Sequence, residues 1–269
     1  MATTLGTGLI TVTRLWHQYV DPVSKVPLLA IENIDLEVGN GEFVSILGQS
    51  GCGKTTLLYL LAGLIRPTGG EIRVDDHLVT GPGRDRGVVF QEYALLAWKT
   101  VRDNIALGPK IHGVPRAERE KTAQQFIDLV GISGFEDKYP HELSGGMRQR
   151  VAVARTLAAD PKVILMDEPF AAVDAQTRIT LQDELVRIWK ETGKTIIFVT
   201  HSVEEAAFLA DRVIVLTPRP ARIKEMVLIP TPRSARRDLG NMEHAAIFSR
   251  LLTAVREGIA HTEEQQESG

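Results

Sequence analysis

Cysteine is nearly absent. Cys52 is the single thiol among 269 residues, which excludes an intrachain disulfide framework and fits a reducing compartment. Aromatic residues are sparse at 6%, and neither charge dominates: 31 Lys plus Arg face 34 Asp plus Glu, for a formal net charge of −3. Nothing in that balance argues for general nucleic-acid binding. Long apolar runs are missing too. A membrane helix needs roughly 18 to 20 such residues, and stretches such as Ala94 to Trp98 fall far short. The start, M-A-T-T-L-G-T-G-L-I, sets no basic residue ahead of an apolar stretch, so it does not read as a signal peptide. These absences predict a chain that neither crosses a bilayer nor leaves the cytosol. What is present is an ordinary globular composition, 43% hydrophobic and 24% charged. A chain of this length buries about three quarters of its unfolded surface without a staple. At about 150 residues per domain it forms one large domain or two closely packed lobes.

The first 50 residues alternate with a period of two, at Leu9 to Arg14 and again at Ile34, Leu36 and Val38, which predicts strands. Gly39-Asn40-Gly41 is a turn, and Glu42 to Leu47 is a compact apolar strand that stops at glycine. From Lys54 to Arg66 the pattern becomes helical, with Leu57, Leu58, Leu61, Ala62 and Ile65 on one face. Ile72 and Val74 suggest an edge strand, and Gly87 to Phe90 another buried one. Residues from about 94 to 158 read as mainly helical, with spacings of three and four over Val101–Leu107, Arg116–Val130 and Gly145–Ala159. Strands return at Val163–Met166, Thr195–Val199 and Arg212–Leu216, separated by helices Gln176–Thr192 and Val203–Leu209. Such alternation predicts an α/β fold with a mostly parallel sheet and ligands outside its carboxyl ends. Pro218, Pro220, Pro230 and Pro232 mark loops, and Asn241 to Ile259 suggests a terminal helix.

The run Gly48-Gln49-Ser50-Gly51-Cys52-Gly53-Lys54-Thr55, with Thr56 after it, follows an apolar strand and opens a helix. That is the setting of a phosphate-binding P-loop. Its glycines let the backbone curl so that N–H groups converge on phosphate oxygens, and the helix aims its positive end there. Lys54 is placed to neutralise the β and γ phosphates, and the Thr55 hydroxyl to ligate Mg²⁺. The pattern predicts binding of a nucleoside triphosphate. A second acidic element ends the run Val163-Ile164-Leu165-Met166-Asp167-Glu168. Asp167 fits the Walker B partner of Mg²⁺, and Glu168 a general base that polarises the attacking water. Apolar strands ending in acidic residues are common, so this element gains its meaning from the P-loop.

Between them lies Leu143-Ser144-Gly145-Gly146-Met147-Arg148-Gln149-Arg150. Ser144 is a good N-cap, the glycines permit close backbone approach, and Val151, Ala154 and Leu157 continue a helix. The run resembles the L-S-G-G-Q signature of ATP-binding cassette (ABC) proteins, and with the other motifs in order the resemblance covers about residues 9 to 216. It implies a P-loop (RecA-like) core with an antiparallel β subdomain and an inserted α-helical subdomain at about 94–158, leaving 217–269 as an extension of unknown role. In that family two cassettes sandwich two ATP molecules, and each signature, here Ser144, Gly145, Gly146 and Met147, completes the partner's site. The resemblance gives Tyr19 an adenine-stacking role, with Trp16 competing for it. Gln91 matches the Q-loop glutamine that senses Mg²⁺ and the membrane subunit, and Asp174 the D-loop. His201 matches the switch histidine at the γ-phosphate; the ordinary alternative is that it caps the following helix. Met147 stands where the family has glutamine, and Ala171 and Val173 stand where F-G-A-L-D is commoner.

Three function classes compete. A GTPase would show Asn-Lys-x-Asp, and none of the four asparagines precedes lysine. A repair ATPase of the family would insert a long coiled coil between Gln91 and Ser144, for which there is no room, and translation members usually carry two cassettes. The stretch Gln91-Glu92-Tyr93-Ala94-Leu95-Leu96-Ala97-Trp98 resembles the Q-E-x-x-L-L-P-W region of importer cassettes that meets a coupling helix, with Ala97 in place of proline. The ordinary alternative makes Leu95, Leu96 and Trp98 core residues. Gly81-Pro82-Gly83-Arg84-Asp85-Arg86-Gly87-Val88-Val89-Phe90-Gln91 is similar to the taurine, nitrate and sulfonate importer branch, most of all to its taurine members. The resemblance therefore implies an import ATPase on the inner face of the cell membrane, working with ATP and Mg²⁺ as a homodimer. Separate permease subunits and a solute-binding protein complete such a system. Cys52, near a helix N-terminus, is expected to have a lowered pKa and to react with thiol reagents. Arg233, Arg236 and Arg237 read as a solvated face.

Overall fold

The computed structural model describes residues 9–21, 23–238 and 240–267, with side chains described up to Glu257. These residues form two compact units, one from the segments up to Gly83 and from Ile197 onward, the other from Arg84 to Ile196.

The first unit opens with β1 (Ile10–Val20), β2 (Pro27–Val38), β3 (Phe43–Leu47), α1 (Lys54–Ala62), β4 (Gly69–Val74) and β5 (His77–Leu78). An antiparallel sheet runs β2-β1-β4-β5. Ile10, Val12 and Leu15 are buried while intervening positions are exposed or half-exposed, the alternation of a sheet with one wet face. β4, expected at an edge, pairs on both sides because the short β5 folds back onto it at Arg73 and Val74. Every residue of β3 is buried, as for a strand covered on both faces. α1 follows and buries Leu57, Leu58, Leu60 and Leu61. It stops at Ala62, short of the expected Arg66, because Gly63 takes the left-handed cap conformation that ends helices.

The second unit holds β6 (Arg86–Val89), α2 (Val101–Ile105), α3 (Leu107–Ile111), α4 (Arg116–Leu129), α5 (Gly145–Ala158), β7 (Val163–Asp167) and α6 (Ala175–Thr192). β6 and β7 pair in parallel, and α5 packs on α2, α3, α4 and β6. The chain returns to the first unit within β8 (Thr195–Thr200), followed by α7 (Val203–Leu209), β9 (Arg212–Leu216), β10 (Ile223–Leu228) and α8 (Met242–Glu267). There the strand order is β10-β9-β3-β8, with β3 and β9 parallel and β10 antiparallel to β9.

β10 lies in a stretch whose prolines predicted loops. Pro220 and Pro230 fall outside it, so none removes a ladder hydrogen bond. The arginines expected on a solvated face do other work. Arg236 is buried and donates to the carbonyls of Thr231, Phe208, Ala210 and Ile229 at 2.6 to 3.1 Å. Burial pushes its pKa down to about 10. Arg233 bonds the carbonyl of Leu209 and pairs with Asp211 at 2.8 Å, and Arg237 lies 3.9 Å over the Phe208 ring. Arg233 and Arg236 thereby satisfy carbonyls that α7 leaves open at its end, while Arg237 is exposed as expected. Among the described residues no helix is long and apolar enough to cross a membrane.

Candidate nucleotide site

The loop between β3 and α1 is built as a phosphate cradle. Gly51 and Gly53 take φ of 76° and 120°, values open to glycine and costly for other residues. A Cβ on Gly53 would also stand 3.1 Å from the Ala30 carbonyl, a tight approach that adds to the strain of its φ. Lys54 is buried, and its ammonium donates to the carbonyls of Gly48 and Gln49 at 2.9 and 2.7 Å. A cation held inside a loop of inward-facing backbone is suited to phosphate oxygens. Thr55 is exposed in the first turn of α1.

Cys52 corrects an expectation. Its side chain is only 3% exposed, and burial raises the thiol pKa despite Lys54 nearby. Desolvation outweighs the helix N-terminus, so Cys52 is a packing residue of the loop rather than a reactive thiolate.

Two contacts on the loop had no signal in the sequence. The Arg219 guanidinium donates to the Gly51 carbonyl at 2.9 Å, and the Gln49 amide reaches the Val255 carbonyl of α8 at 3.4 Å. Tyr19 and Trp16 also separate here. Tyr19 Oη lies 3.3 Å from Thr56 Oγ1, and its ring meets His17 edge-on at 4.7 Å. Trp16 lines another concavity, with Arg14, Gln18, Pro27 and Leu29. His201 is exposed directly after β8, and Ser202, not His201, caps α7 by accepting from the Glu205 amide at 3.2 Å.

In the second unit Asp167 ends β7 and is 4% exposed, while Glu168 takes a left-handed φ of 41°. That conformation costs about 1–2 kcal/mol for a residue with a side chain and breaks the strand alternation between the two carboxylates. Asp174 caps α6, accepting from the Thr177 amide at 3.0 Å, a bond that lowers its pKa. Ser144 caps α5 likewise through the Met147 amide at 3.3 Å.

Gln91 and Trp98 are both exposed, Trp98 to 74%, and Leu95 and Leu96 are half-buried. Trp98 is therefore not the core residue of the ordinary alternative. The loop that carries it is organised by Asn104, which sequence reasoning passed over. Wholly buried, Asn104 accepts from the Leu96 amide at 2.9 Å and directs its own amide at the carbonyls of Leu96, Lys99 and Thr100. A polar residue inside the apolar spacing of α2 was its one sequence trace.

A strand–loop–helix cradle with a buried lysine, a strand ending in buried Asp167 and a capped glycine-opened helix define a P-loop ATP-binding protein. Comparison with known proteins gives the same result. The ABC transporter family matches residues 31–171. The taurine import ATP-binding protein of Roseobacter denitrificans is 52% identical over 75% of this chain and 75% of its own length. The nitrate import ATP-binding protein of Synechocystis is 51% identical over 76% and 77%. A dimeric ATP-binding cassette solved after hydrolysis with ADP and Pi superposes with a TM-score of 0.72 at 31% identity, over 83% of this chain and all of that one. The chain belongs to the ABC transporter family, and it is an ATP-hydrolysing cassette of that family.

Proposed function

We propose that the chain energises an importer of taurine or a related small anion, with nitrate and alkanesulfonates as alternative solutes. It acts as a homodimer held at the inner face of the membrane by integral permease subunits, with a separate solute-binding protein presenting the anion. The observation that carries this reading is Trp98, a large apolar side chain left 74% exposed on a loop that Asn104 holds rigid, directly after Gln91. An ordered, exposed aromatic beside half-buried leucines is suited to receive an apolar helix from a partner.

Within the site, Lys54 and the amides of residues 48 to 56 hold the β and γ phosphates, and Tyr19 stacks on adenine. Thr55, Gln91 and Asp167 offer a hydroxyl, an amide oxygen and a carboxylate, an all-oxygen set suited to Mg²⁺. The metal supplies charge neutralisation on the phosphates. Glu168 polarises the attacking water, His201 contacts the γ-phosphate, and Ser144 to Met147 of the facing copy close the site. Asp174 communicates across the dimer. A cassette ATPase without a transport partner is the competing class. Reconstitution with the cognate permease and solute-binding subunits, followed by ATPase assays with taurine, nitrate and alkanesulfonates, tests the reading. Turnover stimulated by one anion is expected, and an ATPase indifferent to permease and to all of them would refute it.

A further inference from the structure

Gln91 is followed by two residues in the left-handed region, Tyr93 at φ 59° and Ala94 at φ 48°. Neither is glycine, so the turn is strained and something must hold it. Its amides bond locally, Tyr93 to the Phe90 carbonyl and Ala94 to that of Glu92. Its carbonyls are taken by Arg155 of α5. One guanidinium nitrogen donates to Ala94 O at 2.5 Å and the other to Tyr93 O at 2.9 Å, a fork on two successive carbonyls. Two helical turns earlier, on the same side of α5, Arg148 lies 5.6 Å from the Tyr93 ring centroid and donates to Leu143 O at 2.7 Å. Arg155 is half-buried, and that burial depresses its pKa, so exchanging its two carbonyl partners for water carries a cost.

The consequence is mechanical. The loop bearing Gln91 and Trp98 is fastened at one end to α2 through Asn104 and at the other to α5 through Arg155. α5 is the helix whose first turn is the signature, Gly145 to Met147. We propose that Arg155 is a positioning residue that makes the loop after Gln91 and the signature helix move as one piece. This deepens, and rests on, the reading that the loop meets a permease: a partner seated at Trp98 would then set the angle at which Ser144 and its glycines are offered to the facing copy. Arg155 touches no nucleotide in this scheme; it transmits position.

The test uses the full-length chain and three variants, Arg155→Met, Arg155→Lys and Arg148→Met. Hydrogen exchange is followed without nucleotide, beside MgATP affinity and steady-state ATPase. In Arg155→Met the amides of Tyr93 and Ala94 and those in the first two turns of α5 are expected to exchange faster together, by about tenfold or more, the scale of losing bonds from a charged donor. MgATP affinity should stay at the wild-type value while turnover falls. Arg155→Lys keeps the charge but not the fork and should recover part of both the protection and the turnover, which a space-filling role would not predict. Arg148→Met should loosen the loop less, since the carbonyl fork remains. A loosened loop beside wild-type exchange at the start of α5 would overturn the proposal. So would wild-type exchange in both segments. Should Arg155→Met fail to fold, Arg155→Lys decides by the same two segments. A wild-type ATPase indifferent to permease subunits would defeat the reading that the loop meets one and leave the exchange coupling standing.

Discussion

Replacing Asn104 by alanine removes a side chain that is 0% exposed and surrounded by four backbone groups. An asparagine amide carries two N–H donors, so the three carbonyls of Leu96, Lys99 and Thr100 share two protons, and with the Leu96 amide the count is about three full bonds. At about 1 kcal/mol net each the loss is ~3 kcal/mol, and buried carbonyls left without a donor push it upward. A small cavity adds to the cost. Against a typical total stability of 5–15 kcal/mol, that is a large fraction. The purified variant should therefore unfold at clearly lower urea concentration, with its ATP-independent exchange rising first between Leu96 and Thr100. Asn104→Asp sharpens the argument. It keeps the acceptor for the Leu96 amide but turns a carboxylate toward three carbonyl oxygens, so it should be at least as destabilising as alanine at neutral pH and should recover on acidification. An unfolding free energy for Asn104→Ala within about 1 kcal/mol of wild type would refute the claim that this residue organises the loop. An Asp variant more stable than the Ala variant at pH 8 would refute the orientation of the amide.

Lys54→Ala should abolish measurable MgATP binding by equilibrium titration, because no other buried cation faces the loop interior among the contacts described; unchanged affinity would refute its role. Glu168→Gln should bind MgATP and accumulate as an ATP-held dimer in size-exclusion chromatography while turnover disappears, and wild-type hydrolysis would sink the general-base assignment. Cys52 should react with a thiol-specific chromophore far more slowly than an exposed cysteine, and faster only well above pH 9, since its thiol pKa is raised by burial; rapid labelling of the folded chain at pH 7 would contradict that. His17 and His244 both have pKa values lowered by burial, so the unfolded chain binds more protons below its imidazole pKa of about 6.5. Their contribution to stability is complete above that pH and is lost as pH falls toward the folded values. His244→Gln should flatten the acid side of the stability profile, and an unchanged profile would remove His244 from the account.

The parts legible in the sequence were those where one local rule decides. Strand, glycine loop and helix at Gly48 to Thr55 each follow from residue type at fixed spacing, and so does the cap at Ser144. β10 was hidden because prolines crowd its flanks, while the strand itself has only Ile223, Glu225 and Val227 turned inward or half-inward. Cys52 was misread because a helix N-terminus is visible in sequence and burial is not. The arginines failed for the same reason. Arg233 and Arg236 look like surface charge, and only the packed chain shows that each ends against carbonyls at the end of α7. Asn104 needed the path of the loop around it. What escaped was side-chain-to-backbone bonding over long sequence separation, which leaves no periodicity.

β10 also has a bearing on where the chain can be cut. It covers the open edge of β9, whose residues Val213 to Leu216 are all buried and apolar. A fragment ending at Leu216, the limit of the recognisable cassette motifs, would bare a run of unpaired amides and carbonyls beside V-I-V-L, the kind of surface on which strands from other molecules add. It would also strip the Arg236 guanidinium from the end of α7. Such a fragment should form sediment rather than a smaller working enzyme, because β10 is what keeps that edge from pairing with other molecules.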